Sequence, residues 1–321
     1  MATVFSTTTL YEDQADRLRA AGHRLDLHES VGPIDREELL CGVADAEALV
    51  CLLTDRIDEE ILRAGGSLKI VANVAVGYEN IDVEAASQLG IMVTNTPDVL
   101  TEATADLTFA LLLAAARRIA EADRAVREGR FPAWSLDQPL LGLDVHGKTL
   151  GIVVMGRIGT AVARRGALGF GMPILYHSRT WHEDAARELE AEYVSFEQLL
   201  AGSDFVSIHV PKTTETRHLF DADAFARMKP TAILINPARG SVVDEAALVD
   251  ALEAGAIAGA GLDVYENEPT VHPKLLALTE RIVLAPHLGS ATRETRHAMA
   301  RLAVDNVLGV LRGELPTTPV A

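Results

Sequence analysis

Cysteine is almost absent from the chain. Only Cys41 and Cys51 occur among 321 residues, and both sit in or beside apolar segments. They are expected to be buried free thiols, so disulfides do not staple this fold. Positive charge is also scarce: 29 Lys and Arg face 46 Asp and Glu, for a net charge of -17. Nucleic acids and anionic membrane surfaces both select a basic face, so neither is expected as a partner. The same deficit means that an anionic substrate must be drawn in by local Arg groups. Long apolar runs are missing as well. The longest uncharged apolar stretch covers 107–116, between Asp106 and Arg117. That is far short of the ~20 residues a bilayer span needs. Residues 1–17 show no basic segment leading into an apolar one, so no secretory signal is read there and a cytoplasmic location is expected. There is no H-E-x-x-H, no C-x-x-C and no carboxylate cluster with ligand spacing, so no metal is expected.

What is present is a soluble globular composition, 48% apolar and 23% charged. The length allows two ordinary domains. Apolar runs alternate with helix-like segments from end to end, the pattern of parallel βαβ units. Candidate strands in the first hundred residues are 48–53, 70–73 and 91–94. A long Ala- and Leu-rich helical stretch follows at 100–129. Its all-round apolar middle suggests burial against another domain or subunit, and a homodimer is expected. A second series begins at Lys148, with candidate strands 150–154, 173–176, 205–208, 232–235, 259–263 and 282–284. A last helix covers 293–312. The expected fold is α/β with two Rossmann-like domains: a flavodoxin-like substrate domain, 1–99 completed by 291–321, and a doubly wound dinucleotide-binding domain, 100–290. The chain would cross between them twice, leaving a cleft.

The turn from 150 to 159 lies where a dinucleotide-binding G-x-G-x-x-G belongs. Gly156 and Gly159 fit the second and third glycines, with Met155, Arg157 and Ile158 between and beside them. The first position holds Val154, a β-branched residue where the tight turn favours glycine. It is expected to be tolerated with a small backbone shift and weaker cofactor binding. The next strand should end in an Asp or Glu that holds the adenosine ribose of NAD. Here it ends in Ser178-Arg179-Thr180, and Arg179 can pair with a 2′-phosphate. NADP(H) is therefore preferred, with NAD(H) as the alternative.

Three short stretches carry the chemistry: Asn236-Pro237-Ala238-Arg239-Gly240, Glu266-Asn267-Glu268-Pro269 and Ala285-Pro286-His287-Leu288-Gly289. An Arg, a Glu and a His each follow an apolar run, where open α/β sheets bind ligands. A guanidinium can grip a carboxylate in a bidentate fork. A His paired with a Glu can act as general acid. The trio reads as a site for a small 2-oxo or 2-hydroxy acid. Val76 and Gly77, just after an N-terminal strand, could offer backbone N–H groups to a carboxylate oxygen, and Leu52 and Leu53 could wall the pocket.

These motifs, together with Val76-Gly77-Tyr78-Glu79-Asn80-Ile81-Asp82, Thr94-Asn95-Thr96-Pro97 and Leu100-Thr101-Glu102-Ala103-Thr104-Ala105-Asp106, resemble the D-isomer-specific 2-hydroxyacid dehydrogenases over essentially the whole chain. Gly129-Arg130-Phe131-Pro132-Ala133-Trp134 is similar to the glyoxylate/hydroxypyruvate reductase branch. The resemblance implies reduction of small 2-oxo acids with NAD(P)H. Arg239 would grip the carboxylate and carbonyl, Glu268 would pair with His287, and His287 would pass the proton. It also implies that Asp263 accepts from the nicotinamide carboxamide. Thr104, Val210, Pro211, Thr216, Pro237, Ala238 and Gly289 would adjoin the cofactor, and Trp134 would reach a neighbouring subunit's site. Phosphoglycerate or phosphite dehydrogenases, and corepressors that sense the cofactor without turnover, share the trio and stand as alternatives.

Overall fold

The computed structural model describes residues 1–29, 32–131 and 133–320. The chain divides into two compact units, Met1–Leu100 with Thr292–Ala321, and Thr101–Ala291.

The first unit carries a five-stranded sheet: β1 Thr3–Ser6, β2 Arg24–Leu27, β3 Ala48–Cys51, β4 Ile70–Asn73 and β5 Met92–Thr94. The order is β2-β1-β3-β4-β5, and every pair is parallel. This is the flavodoxin-like winding. Residues of β3 and β4 are buried throughout, as central parallel strands covered on both faces must be. The C-terminal helix Arg293–Leu311 packs on β3, β4 and the helix Glu12–Ala20. Its N-terminus is capped by Thr292, which accepts from the Thr295 N–H, worth about 1 kcal/mol.

The second unit carries seven strands: β6 Leu150–Val153, β7 Ile174–His177, β8 Glu192–Tyr193, β9 Phe205–Ile208, β10 Ile233–Asn236, β11 Gly259–Leu262 and β12 Ile282–Leu284. The order is β12-β11-β10-β9-β6-β7-β8, again all parallel. The strand order reverses at β6, between β7 and β9. That reversal is the switch point where doubly wound sheets bind their ligands.

Several expectations are corrected. The strands β1, β2 and β8 were not anticipated; each has four residues or fewer, and β2 and β8 are partly exposed edges without an apolar run. The stretch 100–129 is not one helix. It is two, Thr101–Ala116 and Ile119–Arg127, broken at Arg118, whose φ of 53° is left-handed and cannot continue the right-handed coil. Arg118 is held there by Glu121 and the Pro139 carbonyl. The apolar middle of the first of these helices is packed on β10, β11 and the helix Arg157–Arg164 of its own unit. Its hydrophobicity therefore needs neither a second domain nor a second subunit. Both cysteines are free, but only Cys51 is buried; Cys41 is exposed on the helix Arg36–Ala44. Pro132 lies outside the described residues.

Among the described residues no helix is long and apolar enough to cross a membrane, and no group of three or more His, Cys, Asp or Glu is arranged to hold a metal ion.

Candidate active site

Strands β10, β11 and β12 lie side by side, with Ile235 opposite Gly261 and Gly261 opposite Val283. Parallel neighbours are ~4.8 Å apart, so the loops leaving their carboxyl ends are forced together. Arg239 is on the first loop, Glu268 on the second and His287 on the third.

Each loop is braced by a side chain at the end of its own or the next strand. Asn236 accepts from the Ala238 N–H at 3.1 Å and donates to the Arg239 carbonyl at 3.0 Å, which folds the Pro237–Ala238–Arg239 turn. Gly240 then passes under the second loop. A Cβ built on it would lie 1.8 Å from the Tyr265 carbonyl carbon, so only glycine allows the two backbones to approach this closely. The Tyr265 hydroxyl donates to the Ala285 carbonyl at 3.0 Å and ties the second loop to the third.

His287 Nδ1 sits 2.8 Å from Glu268 Oε2, and Glu268 Oε1 accepts from the Tyr265 N–H at 2.9 Å. Burial alone would raise the Glu268 carboxyl. The hydrogen bond and charge of His287, the Tyr265 N–H and the charge of Arg239 outweigh burial and hold it below the usual carboxylate range. Arg239, on the neighbouring loop, is near enough for its charge to act on Glu268. Arg239 also donates to the Ala238 carbonyl at 2.8 Å.

Asp263 organises the third loop. His287 has a left-handed φ of 56°, which strains a residue with a Cβ. Three bonds to Asp263 hold that conformation. The His287 N–H donates to its carbonyl at 2.8 Å, the Leu288 N–H to Oδ1 at 2.6 Å and the Gly289 N–H to Oδ2 at 2.8 Å. Asp263 is fully buried. Burial raises its carboxyl above the ordinary value, partly offset by those two N–H donors and by His287. Thr104 is buried against the same loop, about where a Cβ on Gly289 would meet it.

The second cluster lies at the switch point. Val154 occupies the first-glycine position with φ 73°, the left-handed conformation that favours glycine there. Its N–H donates to the His177 carbonyl at 2.7 Å. The Met155 N–H donates to Ser178 Oγ at 2.7 Å, so buried Ser178 supports the loop from beneath. Gly156 precedes the helix Arg157–Arg164, and a Cβ there would meet nothing within 4 Å. That open face, above exposed N–H groups at a helix N-terminus, is the kind of cradle a pyrophosphate fills. A Cβ on Gly159 would lie 2.4 Å from the Val154 carbonyl oxygen, so this glycine permits close helix–strand packing. Arg157 is exposed at the first helical position, Ile158 packs on the core and Met155 is buried.

Beside this loop lies a cavity of about 490 Å³. The structure brings Val154, Ser178, Arg179, Thr180, Val210, Pro211 and Thr216 together on its lining. His177, His182 and Glu215 also line it. Sequence reasoning missed His182 and Glu215, because loop length rather than any fixed offset brings them there. Close by, the His209 ring is pushed down to about 3 by burial, although the residue keeps some exposed surface. Ser207 Oγ lies 2.8 Å from its Nε2.

In the first unit, Leu53, Val76 and Gly77 follow β3 and β4 and are half-buried. The Val76 carbonyl accepts from Asn95 at 2.8 Å and the Gly77 carbonyl from Asn73 at 2.7 Å. Among the described residues, no protein acceptor is recorded for the Val76 and Gly77 N–H groups. Trp134 is 82% exposed, which rules out a packed core position.

A phosphate cradle at the switch point and an Arg–Glu–His constellation on adjacent strand ends define a dinucleotide-dependent enzyme of 2-hydroxy acids. Comparison with known proteins agrees. Residues 109–289 match the model of the D-isomer specific 2-hydroxyacid dehydrogenase, NAD binding domain, and the chain belongs to that family. It is 54% identical over 292 residues to a glyoxylate reductase of Korarchaeum cryptofilum, covering 91% of this chain and 88% of the relative. A glyoxylate reductase of Pyrococcus furiosus is 50% identical over 325 residues, covering 99% and 94%. Among solved structures, the NADPH-dependent glyoxylate/hydroxypyruvate reductase of Sinorhizobium meliloti, in complex with NADP and malonate, superposes with a TM-score of 0.87 at 37% identity, covering 100% and 97%.

Proposed function

We propose that this protein reduces glyoxylate and hydroxypyruvate to the corresponding D-2-hydroxy acids, with NADPH preferred over NADH. The observation that carries the reading is the His287–Glu268 pair at 2.8 Å, with Arg239 on the adjacent strand's loop. Arg239 holds the substrate carboxylate and polarises the carbonyl. The cradle at Gly156 would hold the pyrophosphate of a reduced dinucleotide, whose nicotinamide would supply the hydride. His287 donates a proton to the carbonyl oxygen as negative charge develops there, and Glu268 stabilises the charged imidazole. In oxidation the same His287 accepts the proton. Asp263 keeps the His287 loop in place and would accept from the carboxamide of a bound nicotinamide. In the first unit, the Val76 and Gly77 N–H groups are proposed as donors to a carboxylate oxygen, and Leu53 as an apolar wall.

The NADPH preference rests on Arg179 at the end of β7, lining the cavity with no acid on the same strand tip. The names of the relatives support the substrate. A homodimer is proposed from the apolar side chains on the segment after the second helix: Phe131, Trp134 and Leu136 are 77%, 82% and 86% exposed. Such surfaces are rarely left to water. Trp134 would then reach the partner subunit's site. Sedimentation equilibrium tests the dimer.

Steady-state oxidation of NADPH and NADH with a panel of 2-oxo acids tests the activity. Turnover of glyoxylate and hydroxypyruvate is expected, with the larger kcat/KM for NADPH. No turnover with any 2-oxo acid would overturn the reading.

A further inference from the structure

The adenosine cavity contains a carboxylate that β7 does not supply. The tip of β7 ends in Ser178-Arg179-Thr180, with no Asp or Glu to meet a ribose. Glu215 lines the same cavity from the loop that follows β9. Strands β7 and β9 flank β6 on opposite sides, two strand spacings or ~9–10 Å apart. Their loops therefore face each other across the phosphate loop.

The loop bearing Glu215 is built, not slack. The Thr213 N–H donates to Thr216 Oγ1 at 2.8 Å, the Thr216 N–H returns a bond to Thr213 Oγ1 at 3.2 Å, and Thr216 Oγ1 donates to the Pro211 carbonyl at 2.7 Å. This knot presents Glu215 at the mouth of the cavity. Across from it, Arg179 is exposed, and among the described residues no ion pair engages its guanidinium. The Thr213 hydrogen bond, more than the charge of Arg179, holds the Glu215 carboxyl below its usual range. The two side chains thus sense each other across the cavity without touching.

We propose that Glu215 is a cofactor-specificity residue that replaces, from the far wall, the ribose-binding acid missing from β7, and that Arg179 changes partner with the cofactor. With NADH, Glu215 accepts from the adenosine ribose hydroxyls and Arg179 pairs with Glu215 over them. With NADPH, the 2′-phosphate carries about -1.5 to -2 charges. It takes Arg179, while Glu215 repels it. Glu215 therefore limits the NADPH preference and keeps NADH usable.

This inference rests on the proposed dinucleotide site, and its test separates the two. Dissociation constants for NADPH and NADH are measured by titration calorimetry, without substrate, on the wild type, Glu215→Gln and Arg179→Gln. Both positions are exposed, and circular dichroism checks that each variant is folded. Glu215→Gln is expected to shift the ratio of the two constants toward NADPH by about fivefold, the scale of an exposed charge pair. The shift should shrink as salt is raised. Arg179→Gln is expected to weaken NADPH at least tenfold while changing NADH little. A ratio in Glu215→Gln within twofold of wild type overturns the inference alone. A wild type that binds neither dinucleotide overturns the cofactor site and the inference with it; an Arg179→Gln variant that binds both unchanged overturns the pairing of Arg179 with the 2′-phosphate, and with it the inference.

Discussion

Two loop clusters leave the carboxyl edge of the same seven-stranded sheet, and they handle their polar groups in opposite ways. At β10–β12 the loops bond to each other. Asn236 folds the first, Tyr265 joins the second to the third, and Asp263 takes three N–H groups from 287–289. At the switch point, Gly156 faces open space and the cavity walls meet across a gap. Both clusters hold a non-glycine residue in left-handed backbone, His287 at 56° and Val154 at 73°. Asp263 holds His287 and both residues that follow it, whereas after Val154 only Met155 is tied, to Ser178. The difference suits the tasks proposed for them: proton transfer needs atoms fixed to a fraction of an ångström, whereas a cofactor must enter and leave.

The largest effect should come from the clamped cluster. His287→Gln removes the proposed proton donor and is expected to lower kcat by about 10²–10⁴-fold, with the cofactor dissociation constant little changed. A loss in both would mean that the two clusters are not independent.

Gly240→Ala should come next. Its methyl cannot fit 1.8 Å from the Tyr265 carbonyl carbon, so the first two loops must separate. A kcat loss of ~10²-fold is expected from the misplacement, together with roughly 1–3 kcal/mol of destabilisation. Thermal melts and steady-state kinetics measure the two effects. An unchanged kcat would show that the close approach of these backbones does not position Arg239.

Asp263 and Glu268 sharpen the comparison within the cluster, because their carboxyls move in opposite directions. Asp263→Asn sets an amide N–H₂ against an N–H donor, costing about 1–3 kcal/mol, and should cut kcat roughly tenfold or more. Glu268 is held below its unfolded value, so its charge stabilises the fold above that value and the contribution is lost as pH falls through the folded one. Asp263 is raised, so its contribution is present below the unfolded value and is lost as pH rises through the folded one. In melts across roughly pH 3 to 7, the stability gap between wild type and Glu268→Gln should narrow on acidification. A gap that widens would reverse the sign assigned to Glu268.

The smallest effect belongs to the open cluster. Val154→Gly relieves a left-handed strain of about 1–2 kcal/mol, against ~0.5–1 kcal/mol of extra chain entropy for glycine. Stability should change by less than about 1 kcal/mol, and the dinucleotide should bind a fewfold tighter. An unchanged dissociation constant would sink the idea that this residue taxes cofactor binding.

Much of this was legible in the chain. The positions of Arg239, Glu268 and His287 after apolar runs followed from pattern, because central parallel strands are buried on both faces and announce their ends. Gly156 and Gly159 were legible because they obey a fixed spacing. The break at Arg118 was not, since an Arg in left-handed backbone leaves no mark in composition. Exposed Cys41 was misread because one apolar neighbour does not reveal which helix face a residue takes.

The sequence alone determined the strand ends, the glycine spacing and the residue types that can grip a carboxylate or pass a proton, all of which depend on short-range order. Tertiary structure alone decided that Asp263 clamps the His287 loop, that Gly240 slides beneath Tyr265, and that Glu215 faces Arg179. These arrangements bring together loops of neighbouring or next-neighbouring strands. Sheet order, which no local pattern encodes, decides which loops meet.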